Sequence, residues 1–272
     1  MYNTHMKIAC VGEITVDRYI DGNDYAGGTT FNVARIIKRI DPANQVFLVS
    51  AIGNDEKGKY LLEKVIKSGV TPALQQINGK SSLIEIKIAN KERHLQNYAA
   101  GVIEKFELDE SQIKILKDSD IAIYVCFKEI EHIFVNSLSY PKKALRVADF
   151  TDLLDYNKDL SVVRKTINKL DVLFFGLQKS DTKLIDELES LSSKFDKLII
   201  VTLGEHGSIA FFENKKFEVP AQKVINVIDP TGAGDTFLAT FVNSYVKGEN
   251  IRLSLKKASI EASKTIQRMG VL

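Results

Sequence analysis

The stretch Asp229-Pro230-Thr231-Gly232-Ala233-Gly234-Asp235 combines small residues with two aspartates and runs directly into a helical pattern. Small residues let the backbone approach a ligand closely, and the free amides at a helix start favour an anion. Asp235 then stands beside that anion, where a carboxylate can orient and deprotonate an attacking hydroxyl. Phosphoryl transfer needs little more than such positioning and charge neutralisation. The alternative is a glycine-rich turn in which Asp235 only caps the helix.

Around this stretch, short apolar runs alternate with amphipathic segments along nearly the whole chain. The predicted strands are 7–11, 45–52, 121–126, 145–149, 172–175, 197–202 and 208–212. The predicted helices are 31–40, 57–67, 159–168, 181–194, 235–247 and 251–268. This alternation predicts an α/β fold with a mostly parallel sheet that is covered on both faces.

Two segments depart from the alternation. Residues 16–26 contain no helical pattern, and in 82–98 isoleucines recur at every second position before a turn at Lys91-Glu92. A period of two predicts an antiparallel ribbon, and we expect the two segments to pair into a small sheet that forms a lid. No proline- or serine-rich linker divides the chain. We therefore expect one domain over 6–272 with this lid, preceded by an N-terminal extension over 1–5.

Composition restricts the partners and the location of the chain. Its 37 basic and 35 acidic residues give a net charge of +2, so neither nucleic acid nor a membrane is an expected partner. No apolar run has transmembrane length and no signal-peptide core is seen, which makes the cytoplasm the expected location. Cys10 and Cys126 lie in apolar runs, and the 4 histidines lack metal-ligand spacing. We expect neither a disulfide framework nor a structural zinc.

One phosphate-binding motif is matched only superficially. Residues 53–60 fit the pattern GxxxxGK, but Tyr60 replaces the hydroxyl residue that would hold magnesium, and Asp55 and Glu56 stand where phosphate would bind. A helix-capping turn is the better interpretation. The first strand is followed by Gly12-Glu13-Ile14-Thr15 rather than GxGxxG, which argues against a nicotinamide dehydrogenase.

Three further segments are weak signals when each is taken alone. The loop 202–207 joins two predicted strands and is typical of a hairpin, and 27–34 is typical of a capped helix start. Asp17, after the first strand, can bind paired sugar hydroxyls through its carboxylate or can simply be a solvated residue of the lid.

Taken in order, these pieces resemble the ribokinase-like family, also called the phosphofructokinase-B family, over nearly the whole chain. The motifs that carry the resemblance are Gly12 with Asp17, Gly27-Gly28 with Asn32, 53–58, Thr202-Gly204-Gly207 and 229–235. The resemblance implies a three-layer α/β sandwich with a small β lid. It also implies an ATP-dependent carbohydrate kinase that uses Mg²⁺.

The resemblance assigns roles to individual residues. Asp235 would be the catalytic base, and the amides of Gly232, Ala233 and Gly234 would form an anion hole. The residues expected to bind substrate are Asp17, Gly28 and Asn32, and those expected at the nucleotide are Thr202, Gly204 and Gly207. Asp229 and Thr231 match positions near which some members of the family bind a monovalent cation, usually K⁺.

The magnesium motif of the family is missing. Residues 175–179 lack the Asn-x-x-Glu pair that helps to organise Mg²⁺ in many members. We therefore expect ATP phosphates and water to hold most of the metal's coordination, with Asp149 or Asp181 in the outer shell.

The expected substrate is a sugar or a fructosamine with a primary hydroxyl. Residues 149–152 and 169–171 look most like the fructoselysine 6-kinase branch. The cationic end of a fructosamine side arm would then meet Glu85, Glu92 or Asp21. Fructose, ribose, a keto-deoxy sugar acid and a nucleoside are the alternative substrates, and a catalytically silent sugar- or nucleotide-binding protein is the alternative outside the enzymes. We also expect a homodimer through the lid.

Overall fold

The structure is a computed structural model that describes residues 5–20, 22–89 and 92–268, without the side chains of 88–89 and 92–95. Apart from His5, the predicted N-terminal extension lies outside these ranges, and so do Asp21, the turn residues Asn90 and Lys91, and residues 269–272. The Glu92 side chain also lies outside the description.

Thirteen strands and eight α-helices are formed by the described residues. The strands are β1 (Lys7–Val11), β2 (Thr15–Tyr19), β3 (Asp24–Gly27), β4 (Gln45–Gly53), β5 (Thr71–Ile77), β6 (Leu83–Ala89), β7 (Glu92–Ala99), β8 (Ile121–Val125), β9 (Leu145–Asp149), β10 (Val172–Gly176), β11 (Leu198–Thr202), β12 (Ser208–Phe212) and β13 (Lys215–Val219). The helices are α1 (Thr29–Ile40), α2 (Glu56–Lys67), α3 (Glu110–Lys117), α4 (Glu131–Ser137), α5 (Ser161–Thr166), α6 (Thr182–Phe195), α7 (Ala233–Val246) and α8 (Ile251–Thr265).

The central sheet has nine strands in the order β13-β12-β11-β10-β9-β8-β1-β4-β5. Pairing is parallel from β11 through to β5, and β12 and β13 continue the sheet antiparallel at one edge. Parallel strands buried on both faces require apolar side chains at successive positions, which is why these segments appear as continuous apolar runs in the sequence.

Two hydrophobic cores lie on opposite faces of this sheet. Ile8 and Cys10 of β1 belong to one core, together with residues of α1, α2, α7 and α8. Ala9 and Val11 of the same strand belong to the other core, together with residues of α3, α4, α5 and α6. Side chains of a strand alternate between its faces, so each central strand serves both cores. The predicted α/β fold with three layers is confirmed.

A second sheet of four strands, in the order β3-β2-β6-β7, is formed by the two segments that lack the helical pattern. It is called the lid sheet below. β2 pairs antiparallel with β3 and parallel with β6, and β6 pairs antiparallel with β7. The lid sheet corresponds to the small sheet expected over 16–26 and 82–98, whereas the division into one domain with a lid stays a prediction.

Several elements differ from the sequence-based expectations. β5 and β13 are missing from the predicted strands because they are edge strands, whose half-exposed faces carry polar residues in place of an apolar run. The short helices α3 and α4 are also missing from the predictions. α5 ends at Thr166 rather than continuing to 168, and α7 begins at Ala233 rather than at Asp235.

Within the described ranges, no helix combines the length and the apolar composition needed to cross a membrane. Cys10 and Cys126 are both buried free thiols.

Candidate active site

Several strand ends and the N-termini of two helices surround one cavity of about 180 Å³. Asp149, Gly176 and Thr202 are the last residues of β9, β10 and β11. The cavity is lined by polar side chains and by the backbone of a glycine, which belong to Thr29, Asp149, Thr151, Thr202, Asp235 and Gly234. In a parallel sheet the carboxyl ends of the strands form the usual ligand-binding edge, so this is the candidate active site.

Asp235 lies in the first turn of α7 and is 8% exposed. The capping position is Gly232, with a φ of 77° that suits glycine, so the alternative in which Asp235 caps the helix is wrong. The Oδ2 atom of Asp235 accepts a hydrogen bond of 2.7 Å from Nδ2 of Asn32 on α1. Asp235 is thus held at the cavity by a second helix, as a reacting carboxylate must be.

The three small residues before Asp235 form the N-terminus of α7. A Cβ added at Gly234 would meet nothing within 4 Å, so this residue borders open space at the cavity. The amide of Ala233 donates to the carbonyl of Pro230 over 3.3 Å. The positive end of a helix beside an open space favours an anion there. The anion hole of Gly232, Ala233 and Gly234 stays a prediction, which the open space at Gly234 supports and which the existing bond of the Ala233 amide does not.

Asp17 and the glycine pair before α1 pack against one another. Asp17 is 5% exposed, and a Cβ added at Gly27 would lie 2.0 Å from its Oδ2 atom. Gly28 has a φ of 91°, and a Cβ there would press on Glu13 at 3.2–3.3 Å. Gly27 is therefore required because the Asp17 carboxylate lies over it, whereas Gly28 is favoured by its positive φ. The roles of Asp17, Gly28 and Asn32 toward a substrate stay predictions.

Glu13 belongs to the site but was not singled out from the sequence. Its Oε1 atom accepts the Thr29 amide at 2.9 Å, which satisfies a free amide at the start of α1 where Gly28 offers no side chain. Burial raises the pKa of Glu13 to about 7, and the nearby carboxylates of Asp235 and Asp17 add to the increase. The available signal was an acidic residue within an otherwise small and apolar run directly after β1.

The residues predicted to bind the nucleotide do not all line the cavity. Thr202 lines the cavity, whereas Gly204 and Gly207 are not among the described residues of its wall. Gly207 has a φ of 94°, and a Cβ there would lie 2.2 Å from the carbonyl oxygen of Val219. Close backbone packing against the end of β13 therefore explains Gly207 without a nucleotide.

Asp229 and Thr231 are buried at the start of the same loop. Oδ1 of Asp229 accepts the Thr231 amide at 2.8 Å. Oδ2 of Asp229 accepts the hydroxyl of Tyr19, which stands on β2 of the lid sheet, at 3.3 Å. Tyr19 was also missed in the sequence. It brings the lid sheet into contact with the loop that leads to Asp235.

Within the described residues, no cluster of metal-ligating side chains takes the place of the family's missing magnesium motif. Across the described ranges, no group of three or more His, Cys, Asp or Glu side chains could hold a metal ion. Asp149 lines the cavity, and burial raises its pKa to about 7. Asp181 instead forms an ion pair with Lys158 at 2.5 Å. Of the two outer-shell candidates, Asp149 is the one whose position suits an ion at the cavity.

The GxxxxGK pattern at 53–60 is a helix cap. Oδ1 of Asp55 accepts the amide of Gly58 at 2.8 Å at the start of α2. This confirms the interpretation as a capping turn and not as a phosphate loop.

Comparison with known proteins assigns the chain to a family. The family model described as pfkB family carbohydrate kinase matches residues 6–272. The chain belongs to the pfkB family of carbohydrate kinases. The resemblance stated from the sequence motifs is thereby confirmed.

Two relatives illustrate the range of this pfkB family. The chain is 27% identical over 267 residues to fructoselysine 6-kinase of Escherichia coli K12, covering 97% of this chain and 98% of the relative. It is 27% identical over 298 residues to ribokinase of Lactococcus lactis, covering 97% and 92%. Each alignment covers almost the full length of both proteins.

Solved structures share the fold of this pfkB kinase. A nucleoside kinase of Methanocaldococcus jannaschii, described as an archaeal member of the ribokinase family, aligns with a TM-score of 0.80 at 22% identity, over 98% of this chain and 93% of that one. Ribokinase of Arabidopsis thaliana, solved with ribose and ATP, aligns with a TM-score of 0.81 at 19% identity, over 97% and 94%.

Gly234→Ala should separate stability from activity in this kinase. Alanine is favoured over glycine within a helix by about 0.5–1 kcal/mol, so the free energy of unfolding should rise or stay unchanged. The added methyl enters the space at the predicted anion hole, and kcat/KM for ATP should fall about 10-fold or more. Urea unfolding and ATP-consumption kinetics measure the two effects. Gly232→Ala is the control, because its φ of 77° should make alanine destabilising. A loss of stability in Gly234→Ala equal to that control would contradict the open space at Gly234.

Glu13→Gln should remove a pH-dependent loss of stability. The folded-state pKa of Glu13, about 7, is above its ordinary value of 4.5, so the folded state loses stability as pH rises through this interval. Glutamine keeps the acceptor for Thr29 and has no proton to lose. Relative to the native chain, its unfolding free energy should rise on the order of 3 kcal/mol between pH 4.5 and 7. Glu104→Gln, at an exposed position, is the control, and equal pH profiles for all three proteins would refute the prediction.

Proposed function

We propose that this pfkB kinase transfers the γ-phosphate of ATP to a primary hydroxyl of a sugar or fructosamine, with Asp235 as the base. The observation that carries the proposal is the buried Asp235 carboxylate at the N-terminus of α7. It borders the cavity and accepts a hydrogen bond from Asn32. A carboxylate beside an anion-favouring helix end joins the base and the phosphate site in one helical turn.

The transfer follows from this arrangement in one step. Asp235 accepts the proton of the substrate hydroxyl while the oxygen of that hydroxyl forms a bond to the γ-phosphorus. The bond from that phosphorus to the oxygen bridging the β- and γ-phosphates breaks, and ADP leaves with that oxygen. The amides of Gly232 and Gly234 would stabilise the charge that builds on the transferred group, and the amide of Ala233 would join them by giving up its bond to Pro230.

Two metal ions are part of the proposal. Mg²⁺, when bound with ATP, would neutralise phosphate charge, and Mg²⁺ commonly keeps waters and only one or two carboxylate ligands. The partly buried carboxylate of Asp149, which lines the cavity together with Asp235, fits that requirement. For a monovalent cation such as K⁺, the supporting observation is the hydroxyl oxygen of Thr231, which is buried without a hydrogen-bond partner beside Asp229.

Substrate binding is proposed between the lid sheet and α1. Asp17 and Tyr19 are two residues apart on β2, so their side chains share one face of the lid sheet. Asp17 would accept hydrogen bonds from a pair of sugar hydroxyls, and it lies over Gly27 at the entry to α1. A substrate without that diol would form neither hydrogen bond with Asp17 and should therefore be bound less tightly.

A fructosamine is the proposed substrate class. In support, the relative named fructoselysine 6-kinase matches this chain over nearly its whole length. A second cavity of about 220 Å³ lies at the lid sheet, and its charged lining residues are Glu85, Arg18 and Lys87. Oε2 of Glu85 accepts a hydrogen bond from Asn97, which orients the carboxylate. Glu85 pairs with Arg18 of β2 and therefore lies on the face of the lid sheet opposite to Asp17. A side arm would have to pass the edge of the lid sheet to bring its cationic end to Glu85.

We propose that the kinase works in the cytoplasm, and a homodimer through the lid sheet stays a prediction. Ile20 and Tyr25 of the lid region are 77% and 51% exposed, which is the surface such a dimer would cover.

Asp235→Asn should reduce kcat by about 10² or more, as expected for loss of a positioned base. Asparagine keeps the size and an oxygen that can accept from Asn32, so folding and ATP affinity should change little. Turnover is measured as ATP consumption with the native chain's best substrate. ATP affinity is measured by isothermal titration. Asp118→Asn, at an exposed helix end, is the control. Near-native turnover in a folded Asp235→Asn protein would remove Asp235 from this role, and no ATP consumption by the native chain with any substrate would favour a silent binding protein.

A fructosamine that carries a free ammonium group should be phosphorylated with a higher kcat/KM than fructose, ribose, a keto-deoxy sugar acid or a nucleoside. The matched control is the same fructosamine with its amine acetylated, which removes the charge alone. Its kcat/KM should be several-fold lower, the difference should shrink as salt rises, and Glu85→Gln should abolish it. A higher kcat/KM for fructose or ribose would overturn the fructosamine assignment and leave the kinase assignment intact.

A further inference from the structure

A partly buried cation, Arg35, lies one helical turn along α1 from the hydrogen bond between Asn32 and Asp235. Nη2 of Arg35 donates a 2.7 Å hydrogen bond to Oδ1 of Asn32, whose Nδ2 donates to Asp235. The guanidinium carbon also lies 5.1 Å from the centroid of the Phe31 ring. Arg35, Asn32 and Asp235 thus form one continuous chain of hydrogen bonds that ends at the base.

The cation faces an excess of negative charge. Asp17 and Asp235, the two carboxylates that attract Arg35, are 5% and 8% exposed, and burial of two carboxylates near each other is costly without a positive partner. Burial lowers the pKa of Arg35, and its attraction to Asp235 and Asp17 opposes that decrease. The other charged or titratable groups that act on Arg35 are Arg39 and Tyr60. Arg35 therefore stabilises the anionic form of the carboxylates around it.

The hydrogen bond to Asn32 also fixes the direction of an amide. An asparagine side chain has an acceptor at one end and donors at the other, whereas a guanidinium has donors only. With Arg35 bound to the carbonyl end, the NH₂ end of Asn32 is directed to Asp235. The spacing of Asn32 and Arg35, three residues apart on α1, places both on one helix face.

We infer that Arg35 is a positioning residue for phosphoryl transfer, which orients Asn32 and balances the charge of Asp235 without contacting the substrate. The inference rests on the proposed role of Asp235 as base. It assigns to Arg35 an effect on kcat rather than on nucleotide binding.

The test compares Arg35→Lys with Arg35→Met. Both substitutions remove the guanidinium and keep an unbranched side chain over Phe31, but only lysine keeps the positive charge. We expect kcat of Arg35→Met to fall about 10- to 100-fold, with KM for ATP unchanged. Arg35→Lys should recover at least a large part of that loss. Arg39→Met, one turn further along α1, is the control and should retain native kcat.

A second measurement needs no substrate. The melting temperature is measured for the native chain, Arg35→Met, Asp235→Asn and the double variant, which form a double-mutant cycle. If Arg35 balances the charge of Asp235, Arg35→Met should lower the melting temperature by several degrees in the native background. In the Asp235→Asn background, Arg35→Met should lower the melting temperature by clearly less.

Each outcome is decisive. Recovery by lysine together with coupling in the cycle supports the inference. Equal kcat for the lysine and methionine variants, or additive melting temperatures, would overturn it and leave Arg35 as a packing residue on Phe31. Failure of the proposed function would appear separately, as native turnover in Asp235→Asn or as absence of ATP consumption, and would leave the coupling in the cycle unaffected.

Discussion

The hydrogen bond from Asn32 to Asp235 is the interaction on which the rest of the site depends. It joins residues 203 positions apart in the chain and ties the first turn of α1 to the first turn of α7. Both helices pack through apolar faces into the same hydrophobic core on one side of the central sheet. That packing fixes the separation of the helix starts, so the carboxylate is directed by the fold and not by a flexible loop.

Carboxylates are gathered at this point, and the backbone around them is shaped to make room. The Asp17 carboxylate occupies the place where a side chain of Gly27 would be, and Glu13 borders Gly28. The same Glu13 satisfies the Thr29 amide. The glycine at position 27 and the capping of α1 by Glu13 are therefore both linked to the acidic groups that are held close together at this point.

The sequence predicted the central architecture well because buried parallel strands appear as apolar runs, and the 229–235 stretch combines small residues with a helix start. It failed at edge strands such as β5, where one exposed face breaks the apolar run. It also missed Glu13, Arg35 and Tyr19, whose importance comes from contacts with residues distant in sequence or one helical turn away. Gly207 was predicted as a nucleotide residue by resemblance, whereas its packing against Val219 is visible only in three dimensions.

The contact between Tyr19 and Asp229 has a mechanical consequence. Tyr19 belongs to the lid sheet, and Asp229 begins the loop that leads to Asp235. A motion that lifted β2 away from this loop would break the hydrogen bond to a carboxylate that is 0% exposed in the present arrangement. Movement of the lid sheet and exposure of that loop would therefore be coupled, and a ligand that stabilised the closed lid sheet would stabilise the loop by the same coupling free energy.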